Sequence, residues 1–318
     1  MKKQNTMVTR VKGYLAYRRS LGFTLRSHGY QLLNFARFAD LAGGCGAITP
    51  KLAMRWIQST PASKSYAALK LSAVRSLARY LAIQDGRSQA PDPRLIGGGR
   101  RRKRPHIFTA SQLQELLDAT DRIKFTDDLG PITYRTLFGL LASTGLRISE
   151  AVNLRRKHVD LTGGILRIER TKFRKSRLVP LHPTVVGALR DFLKIRDQQW
   201  TAHPEQRLFL GSYRQPLSIE SAQDRFRQVC QLLGWHVGNG EMPRPRLHDL
   251  RHTFACRCIQ RWYTEGRDVH QHINALSIYM GHVSVTSTYW YMTASPELLN
   301  VAGHRFERFI ASGERRLS

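Results

Sequence analysis

The chain contains no apolar run of the roughly 18 residues that a membrane-spanning helix requires. Its first ten residues, MKKQNTMVTR, are basic but do not lead into the apolar core of a signal peptide. Hydrophobic residues nevertheless make up 42% of the sequence, which is enough to form a buried core. We therefore expect a folded, cytoplasmic protein that does not act at a membrane.

Cysteine is also scarce, with four residues in 318. Cys45 and Cys230 are isolated, and Cys256 and Cys258 are two residues apart rather than in the C-x-x-C spacing of a zinc knuckle. This pattern excludes a disulfide framework and indicates reduced structural thiols.

Acidic residues are few compared with basic ones. The chain has 51 Lys and Arg against 23 Asp and Glu, a formal net charge of +28 at pH 7. Such an excess favours an anionic partner, and nucleic acid is the commonest one, because Lys and Arg release counterions when they bind phosphates. A solubilising surface or attraction to acidic lipids would explain the charge as well. With nucleic acid as partner, we expect association with a prokaryotic nucleoid.

Apolar residues recur at three- and four-residue spacing over the first 85 residues, which predicts a helical domain. The predicted helices are Val8–Leu21, Thr24–Leu41, Thr49–Gln58 and Ser63–Ile83. The last of them carries basic residues that either contact DNA or form a solvated helix surface. They are Lys64, Lys70, Arg75 and Arg79.

Residues 86–106 are rich in Gly and Pro and lack periodicity, which predicts a linker between domains. Three glycines at positions 97–99 precede a run of five basic residues, Arg100, Arg101, Arg102, Lys103 and Arg104. This run is suited to lying along a phosphate backbone, and it fits a solvated tether equally well.

Residues 107–318 form the second predicted domain, which is mostly helical. Predicted helices cover Thr109–Leu117, which begins with a capping box, and Gly130–Ser143, Pro183–Gln199, Glu220–Leu233, Leu247–Arg261 and Pro296–Ile310. Between them the residue pattern changes to alternation over Ile165–Glu169 and Arg177–Leu181, which predicts a hairpin. The expected fold is therefore mainly α with a small antiparallel β-sheet.

Several residues in this domain suit an attack on a DNA phosphodiester. Arginine binds phosphate oxygens through its planar fork and keeps its charge, as the negatively charged transition state requires. Arg147 lies in TGLRISEA at a predicted helix junction, and His248 and Arg251 share one face of a helix. Tyr291 can act as a nucleophile where positive charge stabilises its phenolate, but Tyr289 satisfies the same chemistry.

Two further groups of residues in this domain suit chemical roles. His248 and His252 are four residues apart, as in a helical zinc pair, but Asp249 stands where the metalloprotease pattern has Glu, and no third ligand follows. No metal or cofactor is therefore expected. The turn between the two predicted strands contains the basic residues Lys172, Arg174 and Lys175. These residues are suited to binding DNA, and either lysine is suited to protonating the 5′ oxygen that leaves when the strand is cleaved.

Taken in order, these elements resemble the tyrosine recombinase (phage integrase) family. The segments TGLRISEA, RLVPL, LHDLRHTFA and MGH, with a tyrosine nine residues after that His, carry the resemblance over the second domain. The helical first domain and basic linker match the family's layout more loosely. The resemblance implies a core-binding (SAM-like) helical domain followed by a catalytic domain.

The resemblance also implies roles for individual residues. Arg147 and Arg251 correspond to the arginines that clamp the phosphate, and Glu150 to the acidic residue beside them. Lys172 corresponds to the hairpin lysine that acts as general acid. Because family members often have Gly around that lysine and this chain does not, Lys175 stays an alternative.

For the other positions, the resemblance makes His248 a proton acceptor or donor and His282 a hydrogen-bond donor to the phosphate. Tyr291 corresponds to the nucleophile that forms a 3′-phosphotyrosyl link. The implied activity is site-specific recombination of double-stranded DNA by four protomers on two sites, with or without a second recombinase. The apolar stripe of Pro296–Ile310 would dock on a neighbouring protomer or pack within its own chain.

Two other functions fit parts of this pattern. A type IB topoisomerase uses the same chemistry as a monomer and relaxes DNA without strand exchange. A catalytically silent DNA-binding accessory protein would lack an essential residue, whereas every position is filled in this chain.

Overall fold

The structure is a computed structural model of the chain. It describes residues 6–43, 46–97, 104–169, 176–200, 203–235, 244–293 and 303. The predicted helix Pro296–Ile310 lies outside the described residues, and so do several of the predicted site residues: Arg100, Arg101, Arg102, Lys103, Lys172, Arg174 and Lys175. The chain forms two compact units, Met1–Arg102 and Lys103–Ser318.

The first unit is helical, as predicted. Its helices are α1 (Met7–Ser20), α2 (Arg26–Leu41), α3 (Pro50–Gln58) and α4 (Lys64–Asp85). Three of them begin after a residue whose hydroxyl accepts a hydrogen bond from a first-turn backbone N–H, which fixes the start of each helix. These capping residues are Thr6, Thr49 and Ser63.

Part of the predicted linker packs against this unit. The backbone N–H of Gln89 donates to the Ile48 carbonyl at 2.7 Å, and the Ile48 N–H donates to the Ser88 hydroxyl at 3.2 Å. Ile96, in a 3₁₀ turn, contacts the hydrophobic core of the unit. The segment up to Ile96 is therefore folded, although its Gly and Pro content alone predicted a linker.

The basic residues of α4 do not share one surface. Lys64 and Arg79 are exposed, but Lys70 is only 5% exposed, and its ammonium donates to Thr60 at 2.7 Å and lies 4.9 Å from the centre of the Trp56 ring. Arg75 is half-buried and donates to the Pro91 carbonyl. Lys70 is six residues from Lys64, which places it on another side of the helix. The prediction that Lys70 belongs to a DNA-facing surface is therefore wrong for this conformation.

The second unit contains eight α-helices among its described residues. They are α5 (Ala110–Asp118), α6 (Gly130–Thr144), α7 (Ile148–Ala151), α8 (Pro183–Gln199), α9 (Ile219–Leu232), α10 (Asp249–Thr264), α11 (Val269–Met280) and α12 (Thr286–Tyr289). The predicted capping box is present, since Thr109 and Gln112 exchange both side-chain to backbone hydrogen bonds. The pair Gly281-His282 predicts the end of one helix and the start of the next, and α11 does end at Met280, with Gly281 as its cap.

A three-stranded antiparallel sheet completes the unit and confirms the predicted mainly α fold. Its strands β1 (Val159–Asp160), β2 (Ile165–Ile168) and β3 (Arg177–Pro180) lie in the order β1-β2-β3. The β2–β3 pair is the predicted hairpin, and β1 is too short to show a period of two. Leu166, Ile168 and Val179 face the core.

Helix α6 lies at the centre of the second unit, against α8 and α10. The rings of Phe108, Phe138 and Phe226 meet edge to face beside it. A separate apolar cluster joins α10 to α11 and includes Tyr291. A helix with the length and apolarity needed to span a bilayer is not found among the described residues.

Candidate active site

The site forms where the ends of α6 and α11 meet the starts of α7 and α10. Helices α6 and α11 each end in a glycine with positive φ, Gly145 at +61° and Gly281 at +65°. A Cβ at Gly145 would lie 2.5 Å from the Phe254 ring, and one at Gly281 would lie 2.8 Å from the Arg177 guanidinium. Glycine therefore satisfies both the backbone geometry and the close packing.

Arg147 precedes α7 and reaches across to the end of α11. Its guanidinium donates to the carbonyls of Met280 at 3.3 Å and Gly281 at 2.8 Å, and to the Glu150 carboxylate at 2.9 Å. The side chain keeps 31% of its surface exposed.

Arg251, in the first turns of α10, is held in a similar way but is only 2% exposed. It donates to the Gly145 carbonyl and, at 2.8 Å, to the Met280 carbonyl. Burial, with the positive charge of Arg147 added to it, lowers the pKa of Arg251 to about 10, so the guanidinium stays charged at neutral pH.

Three successive carbonyls at the end of α11 therefore bind arginines. The Tyr279 carbonyl accepts from Nε of Arg177 at 2.7 Å, next to the carbonyls of Met280 and Gly281 already described. The last carbonyls of a helix lack partners within the helix and carry partial negative charge. This end of α11 consequently stabilises like charges that would otherwise repel one another.

Glu150 supplies the full negative charge in this cluster. Its carboxylate accepts from both terminal nitrogens of Arg177, at 3.0 and 2.8 Å, and from the Arg147 guanidinium and backbone N–H. Burial by itself raises the pKa of Glu150, but the hydrogen bonds and charges of Arg177 and Arg147 bring it below its ordinary value. Glu150 is therefore ionised at neutral pH, and it fixes both arginines.

Sequence reasoning missed Arg177 as a site residue. The signal was present, because the period of two in β3 puts Arg177 on the same face as the buried Val179. A charge on the inner face of a strand requires a buried partner. That partner is Glu150, 27 residues away in the chain, and it was not apparent from the local pattern.

Three histidines surround the arginines. His248 immediately precedes α10, His252 lies one turn further on, and His282 follows Gly281. Burial first, and then the neighbouring positive charges, lower the pKa values of His248 and His282 to about 4 and that of His252 to about 3. All three rings are therefore neutral at pH 7.

Tyr291 belongs to this cluster, whereas Tyr289 does not. The Tyr291 side chain is 3% exposed, and its hydroxyl lies 3.2 Å from Nδ1 of His252. Burial raises its pKa, and the charges of Arg251 and Arg147 oppose that effect. Tyr289 is 37% exposed, and its hydroxyl lies 3.4 Å from His270 instead. The structure thus brings only one of the two tyrosines to the arginines.

The zinc alternative gains no support from the geometry. In the described part of the chain, no group of three or more His, Cys, Asp and Glu side chains is arranged to hold a metal ion. Asp249 is fully buried, and its carboxylate accepts hydrogen bonds from the backbone and guanidinium of Arg246. These bonds fix the start of α10, so the carboxylate has a structural role there.

We predict that Arg177→Met lowers the free energy of unfolding by about 3 kcal/mol, because it leaves the buried Glu150 carboxylate with one guanidinium instead of two. Adding Glu150→Gln should restore part of the loss. The matched control is Arg135→Met, since Arg135 also bridges two carboxylates, Asp118 and Asp121, but at the surface. That change should cost less than about 1 kcal/mol. Chemical denaturation of the full chain measures both, and equal losses would refute a structural role for the buried pair.

Comparison with known proteins shows which family the chain resembles. Residues 106–297 match the model of the phage integrase family. The chain is 39% identical over 303 residues to "Putative integrase/recombinase y4rB" of Sinorhizobium fredii, covering 94% of this chain and 96% of the relative.

Two solved structures share the fold. The Tn1549 transposon integrase in complex with a circular intermediate DNA has a TM-score of 0.67 at 18% identity and covers 95% of this chain and 99% of its own. The XerH site-specific recombinase, in a post-cleavage complex with its palindromic difH substrate, has a TM-score of 0.66 at 19% identity and covers 94% and 85%. The chain belongs to the phage integrase family of tyrosine recombinases.

Proposed function

We propose that the protein is a site-specific DNA recombinase that cleaves and rejoins strands through a 3′-phosphotyrosyl link to Tyr291. The observation that carries this proposal is the position of the Tyr291 phenol, which is buried within the field of Arg251 and Arg147 and next to a neutral histidine. Positive charge around a phenol stabilises the phenolate that attacks phosphorus.

The arginines suit the binding of a phosphate. The three hydrogen bonds of Arg147 to Glu150, Met280 and Gly281 engage three of its five N–H groups, which leaves two N–H groups for phosphate oxygens. Because the protein already fixes the guanidiniums of Arg147 and Arg251, binding a phosphate requires little reorganisation of them. Such preorganised charge is the main source of catalysis in phosphoryl transfer.

The proposed cleavage step exchanges one phosphodiester for another. The Tyr291 oxygen bonds to phosphorus as the bond to the 5′ oxygen breaks, and Lys172 or Lys175 gives that oxygen its proton. His282 donates a hydrogen bond to the phosphate, and His248 takes part in proton transfer. The 5′-hydroxyl of a partner strand then attacks the phosphotyrosine and reseals the DNA. Since the link preserves the bond energy, the reaction needs neither ATP nor a metal ion.

Access to Tyr291 has to change for this reaction. Its side chain is 3% exposed and packs among Trp290, His252 and His282. We therefore propose that DNA binding shifts the short segment of α12 and the following 3₁₀ turn, Trp290–Thr293, enough to expose the Tyr291 hydroxyl to the phosphate while it stays within reach of Nδ1 of His252. Such a latent tyrosine would limit cleavage of DNA that is not properly bound.

Charge and structural likeness support DNA as the partner. The chain carries a formal charge of +28, and both structural neighbours described above were solved with DNA. We propose that the exposed Lys64 and Arg79, the basic run from Arg100 to Arg104 and the hairpin residues Arg174 and Lys175 contact the phosphate backbone. Four protomers on two DNA sites, with or without a second recombinase, are the proposed active assembly.

The nucleophile can be tested without knowing the target sequence. A randomised pool of nicked DNA duplexes, in which cleavage releases a short fragment and traps the enzyme, should give covalent adducts with the wild-type protein. We expect Tyr291→Phe to abolish the adducts, because it lacks the attacking oxygen. The matched Tyr289→Phe should retain them. Denaturing gels and sequencing of the captured DNA supply the measurement.

Retention of the adduct by Tyr291→Phe would disprove the assignment of the nucleophile. Relaxation of arbitrary plasmid DNA without strand exchange would identify a topoisomerase instead. DNA binding with no adduct from the wild-type protein would identify a silent binding protein.

The general acid is tested with a DNA duplex whose sequence the wild-type protein captures in the experiment above. In this duplex, sulfur replaces the 5′ oxygen at the scissile bond. A thiolate leaves without a proton, so it should restore cleavage to the variant that lacks the acid. We expect rescue of Lys172→Ala, with Lys175→Ala as its matched partner. Rescue of Lys175→Ala alone would assign the acid to Lys175, and rescue of neither would exclude both.

A further inference from the structure

We infer that His252 is a further catalytic residue, whose Nδ1 takes the proton from the Tyr291 hydroxyl during attack and returns it during rejoining. This inference rests on the proposed function. It assigns a chemical role to a histidine that the sequence offered only as a zinc ligand.

Geometry singles out His252 among the three histidines. Its Nδ1 lies 3.2 Å from the Tyr291 hydroxyl oxygen, within hydrogen-bond distance of a reacting atom. Nδ1 of His282 is engaged with the Thr288 hydroxyl at 2.6 Å, although its ring stacks on Tyr291 at 6.1 Å. His252 therefore has the direct contact with the reacting oxygen.

The surroundings hold the His252 ring in place. It packs edge to face on His248 at 4.7 Å and on Trp290 at 5.4 Å between ring centres. The backbone position of His252 is set by α10, whose start is fixed by the buried Asp249 carboxylate. A base on a helix with a packed ring is positioned more precisely than one on a loop.

The charge state of His252 suits an acceptor. Its pKa is lowered to about 3, first by burial and then by the neighbouring groups, so the ring is neutral and can accept the phenolic hydrogen. With the proton on Nε2, the lone pair of Nδ1 faces Tyr291. The charged and titratable groups that act on it are His248, Arg246, Arg251 and His282.

A bound phosphodiester would raise the pKa of His252, as proton transfer to its ring requires. Its negative charge offsets Arg251 and Arg147, and so raises the pKa of the nearby imidazole. His252 would then be a weak base in the free protein and a stronger one when DNA is bound. Proton transfer to His252 would be favoured only in the complex.

The proton transfer balances in both directions. In cleavage the O–H bond of Tyr291 breaks, its proton binds Nδ1, the tyrosine oxygen bonds to phosphorus, and the 5′ oxygen leaves with a proton from the lysine. In rejoining, the 5′-hydroxyl gives its proton to the lysine as its oxygen bonds to phosphorus, the bond from phosphorus to the tyrosine oxygen breaks, and the imidazolium returns its proton to that oxygen. Neither direction consumes another reactant.

The test compares His252→Asn and His252→Phe in single-turnover cleavage of a duplex captured by the wild-type protein. The Asn side chain can place an oxygen near the position of Nδ1, where it accepts a hydrogen bond but takes no proton, and Phe does neither. We expect both to slow adduct formation by about 100-fold at neutral pH. Their rates should rise about tenfold per pH unit as the phenol ionises by itself.

His270→Asn is the matched control, because His270 makes the equivalent contact with Tyr289 at 3.4 Å outside the site. It should cleave as the wild type does. A sulfur-substituted duplex should not rescue the His252 variants, since their defect concerns the tyrosine proton and not the leaving group.

Other results would overturn the inference. Wild-type rate and pH profile in His252→Asn would show that His252 only orients the hydroxyl, and the proposed function would stand. Absence of adducts from the wild-type protein itself would remove the proposed function and this inference together.

If thermal unfolding shows that neither variant folds, a fluorinated tyrosine at position 291 of the otherwise unchanged chain decides the matter. Fluorination lowers the pKa of the phenol. If the cleavage rate depends on pH in the same way with tyrosine and with fluorotyrosine, the titrating group is His252. If the rise of the rate shifts to lower pH together with the pKa of the phenol, the tyrosine ionises without a base, which contradicts the inference.

Discussion

The active-site geometry depends on the carboxyl end of α11, where three successive carbonyls accept hydrogen bonds from Arg177, Arg147 and Arg251. Three guanidiniums in one place would repel one another. The partial negative charge of a helix end and the full charge of Glu150 make their proximity stable. The protein thus supports a strongly positive centre before any phosphate is bound, and that preorganisation is what a phosphoryl-transfer site requires.

The same electrostatics explain the state of the other groups. Burial and then positive charge keep His248, His252 and His282 neutral, and burial keeps the Tyr291 phenol protonated. A DNA phosphate would relieve the excess positive charge. Burial of Tyr291 adds a second requirement, since its hydroxyl has to become accessible to the phosphate. Binding and activation of the nucleophile are thereby coupled through charge and access.

Much of the fold followed from local patterns. The spacing of apolar residues predicted the bounds of α1–α4 and α8 to within two residues, and alternation predicted β2 and β3. The order of the motifs predicted the family. The interactions missed were non-local: Arg177 needs Glu150, Lys70 packs on Trp56 and Thr60, and His252 meets Tyr291 39 residues later. No local pattern reveals such partners.

The most direct test of the account is a crystal structure of Tyr291→Phe bound to a duplex captured by the wild-type protein. The account predicts that oxygens of the scissile phosphate lie about 3 Å from the guanidiniums of Arg147 and Arg251. Both arginines should keep their hydrogen bonds to the Met280 carbonyl. A phosphate bound elsewhere, or arginines that leave the end of α11 to reach it, would contradict a preorganised centre.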